Sequence, residues 1–474
     1  TFVCVPFVLY FLKEYQMDTM QILFSFLLLH LSTIASTKER RGVRIPKIKA
    51  YSGTHKIDTN CEHLKFRNEI FIACPSIKRD VTEIEVTIEL ERSVRIVCTR
   101  ENVQFVDFRV VVGKISEFKS RKCNLVDQLA QIFTKWNISG VEVLNIENFS
   151  REDLVLRKKQ FDNVNVSQVK AVYMHRSNVI GIEADTFQKF INLETISFKW
   201  NKITTFPRLS YLRKLRTIDF EWNKLTALNE SIFINMSALT ALELRNNQMK
   251  YLPEKLLYPL TRLTDLGLTD LIEIPTDFFH MNRALNILIL SFLNLSSIFE
   301  DVFANLTNLT VLSLTDTSLE TLPEDLLMNQ ASLHKLQLQR NRFRALPGGI
   351  FRNLLNLKYL DLASNQITSI GTNFCNGMSR LQTLDLSKNK ISDISANAFK
   401  NVRFQLVDLS YNNLSNNRAG TAFMNQTHTT TLNLSHNLYR SIPHVLERSA
   451  VYLNMSYNQL ETIDVSETRI FLFK

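Results

Sequence analysis

Leu333-x-x-Leu336-x-Leu338-x-x-Asn341-x-Phe343-x-x-Leu346-Pro is followed by Leu357-x-x-Leu360-x-Leu362-x-x-Asn365-x-Ile367-x-x-Ile370, and then by Leu381-x-x-Leu384-x-Leu386-x-x-Asn389-x-Ile391-x-x-Ile394. A unit that returns about every 24 residues with its apolar positions fixed is one supersecondary element stacked on copies of itself. Working outward, the asparagine position falls at Ser177, Asn201, Asn223, Asn247, Leu271, Leu293, Thr317, Asn341, Asn365, Asn389, Asn412, Asn437 and Asn458. This predicts thirteen clear turns, with a degenerate one at Val141–Phe149. In each turn the leucines of a short strand point inward, and the residues between them alternate onto the opposite face. The asparagine sits where the chain leaves the strand, and its amide can satisfy backbone groups of adjacent turns. On the far side Phe187, Phe233, Phe279, Phe303, Phe351, Phe374, Phe399 and Phe423 recur as a spine of rings, once per turn. That side is wider than the strand spacing of about 4.8 Å, so the stack is expected to curve with its sheet on the concave face.

The pattern is the leucine-rich-repeat signature. The fold class it implies is α/β, a curved solenoid with a parallel concave β-sheet, covering residues 141–474. The leucines, asparagines and phenylalanines are scaffold. Leu271, Leu293 and Thr317 replace asparagine in neighbouring turns, so local irregularity is expected there. End turns expose an apolar flank and need a cap. Residues 37–140 hold Cys61, Cys74, Cys98 and Cys123 with strand-like runs at Val81–Leu90 and Val94–Cys98, which reads as a disulfide-braced N-terminal cap. Neighbour pairing, Cys61 with Cys74 and Cys98 with Cys123, is the expectation, and the connectivity itself is left open. No cysteine cluster follows Asn458, which suggests truncation of a longer protein. Cys375 reads as a buried free thiol, with a bridge as the alternative.

Composition agrees with export. With 45% hydrophobic and 22% charged residues the chain can bury a large core. Lysine and arginine exceed aspartate and glutamate by 56 to 46, but the excess is spread without a basic block, so nucleic acid is not an expected partner. The balance favours encounter with an acidic protein or an anionic cell surface, or is simply a solvated basic surface. Ile22–Leu31 is an apolar run ending in the small residues Ser32–Thr37, as in a secretory leader. Met17 and Met20 are the plausible starts, no lysine or arginine lies between them and the run, and residues 1–16 look like sequence upstream of the start. A membrane anchor in residues 1–31 is the alternative, although neither apolar run reaches the roughly 18–20 residues a span needs. Four clustered cysteines without C-x-x-C suit an oxidising compartment and argue against zinc. Acceptor sequences for glycans occur at Asn137, Asn148, Asn165, Asn229, Asn235, Asn294, Asn305, Asn308, Asn413, Asn425, Asn433 and Asn454.

Cap and repeats together resemble the N-terminal half of an insect Toll receptor ectodomain over roughly residues 60–465. The segments carrying this are Asn68-Glu-Ile-Phe-Ile-Ala-Cys74-Pro75, Glu85-Val-Thr-Ile-Glu-Leu, Ser93-Val-Arg-Ile-Val-Cys98 and Phe118-Lys-Ser-Arg-Lys-Cys123. The turn Val451-Tyr-Leu-Asn-Met-Ser-Tyr-Asn458 looks like the last before that family's internal cysteine-rich cap. The resemblance implies binding of a processed cystine-knot cytokine of the Spätzle type, receptor dimerisation, and signalling through a cytoplasmic domain in innate immunity and development. It also implies an extracellular position on a single-pass membrane protein. Neither a transmembrane helix nor a signalling domain is present in the sequence.

Enzyme signatures are missing: G-x-S-x-G, H-E-x-x-H and a phosphate-cradling glycine loop do not occur, and no cofactor or metal is expected. Horseshoe solenoids bind on the concave sheet, so the exposed strand positions are the place to search. Just before the asparagine position come Arg176, Trp200, Trp222, Asn246, Asp270 and Phe292. Trp200 and Trp222 would stack on neighbouring strands as interface anchors. Tyr173, His175, Lys199, Glu221 and Arg245 would form a mixed-charge rim, and Ile289 would extend the apolar strip. The alternative is that both indoles fold against their own strands or the cap. Sugars on Asn433 and Asn454 would cover the C-terminal concave face and direct a ligand to the N-terminal turns. Besides a cytokine receptor, a secreted or surface adhesion protein and a soluble decoy fit the same repeats.

Overall fold

The computed structural model describes residues 62–66, 69–76, 79–89, 92–98, 112–123, 125–147, 153–293, 298–415, 429–442 and 450–461. One long sheet runs through them, beside two short parallel pairs, Leu154–Leu156 with Val179–Ile182 and Ser369–Ile370 with Asp393–Ile394. It begins antiparallel: Glu62–Phe66 pairs with Glu69–Ser76, that with Arg79–Glu89, and that with Ser93–Cys98. From Ser93 onward every pairing is parallel, first to Gly113–Arg121, then to Ile138–Glu147, then to Ala171–Tyr173. Thirteen strands from Ala171–Tyr173 to Ala450–Asn454 follow in chain order, each paired to the next. The parallel ladder thus reaches back into the cysteine-bearing segment.

The described residues contain one α-helix, Leu129–Lys135, and two short 3-10 segments, Val126–Gln128 and Lys158–Phe161. The helix buries Leu129, Ile132 and Phe133, the i, i+3, i+4 stripe that one apolar face requires. It ends because Trp136 donates its N–H to the Ile132 carbonyl and Asn137 takes a left-handed φ of 49°. Phe133 packs on Phe118 at 5.3 Å, and Cys98 is bonded to Cys123, tying two adjacent strands of the first parallel turns. The Cys61 side of the expected bracing lies outside the described residues.

The repeat leucines build the core in register: Ile196, Ile218, Leu242, Leu266 and Leu288 face one another along the ladder and are buried. Burying each contributes about 2 kcal/mol. The buried asparagines join turn to turn. Asn201 donates through Nδ2 to the carbonyls of Met174 (2.7 Å) and Phe198 (2.9 Å), and its Oδ1 accepts from the N–H groups of Ser177 (2.9 Å) and Val179 (3.0 Å). Asn223, Asn341, Asn365, Asn389, Asn412 and Asn437 repeat the pattern. Where Leu271 and Leu293 replace the amide, main-chain pairing lengthens: Asp265–Thr269 and Ile287–Ser291 pair over five residues, whereas Thr217–Asp219 and Ala241–Glu243 pair over three. Thr317 keeps the shorter ladder, with its N–H and hydroxyl both reaching Asn341 Oδ1. The expected irregularity is therefore confined to two turns.

The aromatic spine is less regular than one ring per turn. Phe187, Phe233, Phe279, Phe303, Phe351 and Phe399 are buried, but Leu209, Leu257 and Leu327 hold that place in three turns. Phe374 packs half-buried on Phe351 while Cys375 takes the buried position beside it. Cys375 is a free thiol, and burial pushes it far up from its ordinary range. Phe423 lies outside the described residues.

Candidate functional site

The residue preceding each asparagine position is left-handed in all thirteen turns: Arg176, Trp200, Trp222, Asn246, Asp270, Phe292, Asp316, Arg340, Ser364, Lys388, Tyr411, His436 and Tyr457 have φ between 50° and 67°. Each costs a non-glycine residue roughly 1–2 kcal/mol. The backbone explains why it is adopted: Trp200 N–H reaches the Glu221 carbonyl (3.1 Å) and Asn201 N–H reaches that of Trp222 (3.0 Å). Because Ser364 and Arg340 share the conformation, it belongs to the scaffold and does not mark a site. Its consequence is a column along the sheet rim in which neighbouring turns can superpose their side chains.

Arg176, Trp200 and Trp222 do so. The indoles stack at 4.3 Å and 7°, and the Arg176 guanidinium lies 5.3 Å above the Trp200 ring. Trp200 stays 44% exposed and Trp222 43%, so neither folds away against its strand. Beside them run ion pairs. Lys199 Nζ binds Asp219 (2.9 Å) and Glu221 (3.1 Å), and Arg245 binds Glu221 (3.3 Å) and Glu243 (2.8 Å). Burial alone would lower Lys199, but Asp219 and Glu221 hold it above the ordinary lysine value, as Glu243 and Glu221 do for Arg245. Glu243 is pushed up by burial against the pull of Arg245. Gly267 gives it room, since a Cβ there would stand 2.2 Å from Glu243 Oε1. His175 bonds Ser197 Oγ at 2.8 Å, packs edge-on to Tyr173, and is lowered by burial.

The sequence-predicted residues are thus brought together from Tyr173 to Arg245. Ile289 and Phe292 are not part of that group. Phe292 is exposed but stands three turns beyond Trp222, across Asn246 and Asp270, and Ile289 follows Asp219, Glu243 and Gly267 in its column. Sequence reasoning missed Asp219 and Glu243, which face the same way as Tyr173. It also missed a second stack. In the last described turns Tyr411, His436 and Tyr457 superpose at 3.9 Å and 4.2 Å, with interplanar angles of 10° and 11° and Lys388 Nζ 6.0 Å from the Tyr411 ring. The signal was an aromatic residue before asparagine in three successive turns.

Of the glycan acceptors, Asn137, Asn165, Asn229, Asn235, Asn308 and Asn413 are exposed and Asn305 is half-buried. Asn433 and Asn454 are half-buried on the sheet face, and Asn433 Nδ2 donates to Asp408 at 2.9 Å. Asn148, Asn294 and Asn425 lie outside the described residues. Among the described residues no group of His, Cys, Asp or Glu is placed to hold a metal ion, and no helix is long and apolar enough to cross a membrane.

A family model described as BspA type leucine rich repeat region matches residues 272–404 and 344–463, and a leucine rich repeat model matches residues 213–270. Neither describes an enzyme. No curated protein sequence matches the chain. Among solved structures, a chain of the Drosophila Toll–Spätzle complex, a molecular hub in development and innate immunity, is 21% identical. That match covers 88% of this chain and 68% of that one, with a TM-score of 0.59. The glycosylated form of that complex gives 20% identity, the same coverage and a TM-score of 0.62. A leucine-rich-repeat protein of Leptospira interrogans is 22% identical over 76% of this chain and 90% of that one, with a TM-score of 0.61. At these identities the likeness is one of fold, and with thirteen stacked turns it makes the structure a leucine-rich-repeat solenoid similar to the Toll ectodomain.

Proposed function

We propose that the chain is the extracellular ligand-binding part of a Toll-type receptor of innate immunity or development. Its ligand is a Spätzle-like cystine-knot cytokine, bound on the sheet face of the N-terminal repeats, and the receptor dimerises on binding it. The observation that carries this reading is the exposed Trp200–Trp222 stack, flanked by ion pairs that neutralise one another. Paired indoles on a rigid strand edge offer a large contact area with little side-chain entropy to lose, which is how interface anchors act. The fold of the Toll–Spätzle complex supports the choice of ligand class. The fold alone, shared equally with a bacterial leucine-rich-repeat protein, also suits a second reading, a secreted or surface adhesion protein using the same face.

The test is surface plasmon resonance of the secreted chain against a processed Spätzle-like cytokine. Trp200→Ala with Trp222→Ala should weaken binding by 2 kcal/mol or more, roughly thirtyfold. Unchanged affinity with intact folding would refute the site, and no binding by the unaltered chain would refute the ligand.

A further inference from the structure

We infer that the sheet face of the turns from Tyr359 to Tyr457 is a second docking face. It takes an extended basic segment of another protein, seated between the Tyr411–His436–Tyr457 column and the carboxylates of Asp385 and Asp408.

Three features of these turns carry the inference. The aromatic column is open to solvent, with Tyr411 48% and Tyr457 65% exposed. Its rings use their faces on one another, so their edges and hydroxyls are what a partner meets. Next to it, Ser387, Ser410, Ser435 and Ser456 stand where His175, Lys199, Glu221 and Arg245 stand in the N-terminal turns. Small side chains replace long ion-paired ones, leaving a trough along the column. On its far side Asp361, Asp385 and Asp408 are direct neighbours in register. Each accepts a backbone N–H two residues on, from Ala363, Ser387 and Ser410 respectively; Asp361 is buried and also accepts from the Tyr359 hydroxyl, while half-buried Asp408 also accepts from Ser410 Oγ and Asn433 Nδ2.

Charge decides the occupant. Asp385 and Asp408 form no ion pair among the described residues, and Asp385 is repelled by both of its neighbours. In these turns the nearest cation of the rim column, Lys388, lies over Tyr411. The chain as a whole carries a net charge of +10, so this face is a local exception. A guanidinium or ammonium group placed in the trough would neutralise Asp385 and Asp408 and donate to the tyrosine hydroxyls on its other side. Five strands at about 4.8 Å make the trough roughly 19 Å long, the span of about six extended residues.

The probe is a fluorescein-labelled (Arg-Gly)3 peptide, read by fluorescence anisotropy at about 50 mM salt, where surface charges are weakly screened. Tyr411→Ser with Tyr457→Ser, and separately Asp385→Asn with Asp408→Asn, should each weaken binding about tenfold through the lost charged hydrogen bonds, while Trp200→Ala with Trp222→Ala should leave it unchanged. A (Glu-Gly)3 peptide should not bind. Wild-type affinity in the two C-terminal variants, with unfolding cooperativity intact, overturns the proposal, as does an equal loss in the tryptophan variant or no binding by the unaltered chain. Glycopeptide mapping that finds sugar on Asn433 or Asn454 also overturns it, because the trough would be filled. So does sedimentation showing a dimer that Tyr457→Ser dissolves, which would assign the face to a second copy of the chain. The cytokine experiment on Trp200 and Trp222 can fail without affecting any of these outcomes.

Discussion

The turns from Tyr173 to Arg245 and those from Tyr359 to Tyr457 share one backbone and present opposite surfaces. Both carry a cation-headed aromatic column, Arg176–Trp200–Trp222 in one and Lys388–Tyr411–His436–Tyr457 in the other. They differ at the two positions before the column. In the N-terminal turns these hold Asp219, Glu243, Lys199, Glu221 and Arg245, two cations shared among three carboxylates, each of which has an ion-pair partner. In the C-terminal turns they hold three aspartates and a row of serines, with no cation among them. Charged residues alone therefore do not predict what a face seeks. A network satisfied internally has already lost part of its hydration and gains little from a charged partner, leaving the exposed ring edges as the sticky element. Asp385 and Asp408, which form no ion pair among the described residues, keep their demand for a counter-charge.

The comparison assumes that the scaffold is the same under both faces, and the largest expected effects test this. Asn223→Ala and Asn412→Ala each remove an amide bound to two carbonyls at 2.9–3.0 Å and one backbone N–H at 2.9–3.0 Å. Leaving these groups unpaired should cost about 3 kcal/mol or more in either variant, read from denaturant midpoints. A cost at Asn412 much below that at Asn223 would mean that the C-terminal turns are looser, and the comparison of surfaces would lose its common frame.

The carboxylate row supplies the next effect. Burial, and then repulsion by Asp361 and Asp408, raises Asp385 to about 6 from 3.8, despite the bonds from Ser387. A carboxyl raised on folding contributes its stability in full below the unfolded value near 4 and loses it as pH rises through 6. At pH 7 the charged form is the costly one. Asp385→Asn should then stabilise the chain by about 2 kcal/mol at pH 7–8 and by almost nothing at pH 4, read from thermal midpoints. A gain that persists at pH 4 would show that packing, not charge, is responsible.

Most of the scaffold was legible in the sequence because it is periodic. The inward leucines and the buried asparagines recur at fixed spacing, and each turn repeats the same local contacts. The lengthened ladder at Leu271 and Leu293 was half-visible: the missing amides were plain, but what replaced them depended on main-chain pairing between two adjacent turns. Cys375 displacing Phe374 from the spine is a matter of one residue of register, which periodicity does not fix. At the candidate site Trp200 and Trp222 stood out as exposed aromatics in adjacent turns. Asp219 and Glu243 did not, since an isolated acid on a strand reads as a solvated face until its cation is placed opposite. The Tyr411–His436–Tyr457 column was equally readable, but tyrosine and histidine before asparagine attract less notice than paired tryptophans.

The smallest expected effect separates what the stacks do for the fold from what they offer a partner. Every rim residue is left-handed, so replacing one by glycine relieves strain and adds unfolded-state entropy by similar amounts wherever it is done. Ser364 occupies the rim position without an aromatic stack, so Ser364→Gly measures those backbone effects alone. Trp222→Gly adds the loss of the Trp200 stack, and Tyr411→Gly adds the loss of the His436 stack. Relative to Ser364→Gly, each should be less stable by at least about 1 kcal/mol, the worth of an aromatic pair, to which the apolar area each ring buries adds. Urea midpoints of the three variants measure this, and the backbone contributions cancel in the difference. If Trp222→Gly and Ser364→Gly prove equal, the indole pair adds nothing to stability, and the exposed rings stand there at no benefit to the fold. That result would leave binding as the reason for the stack in the N-terminal turns. A full 1 kcal/mol in both regions would make stacking the scaffold's own way of offsetting left-handed strain, and would place the difference between the two faces entirely in the charges beside them.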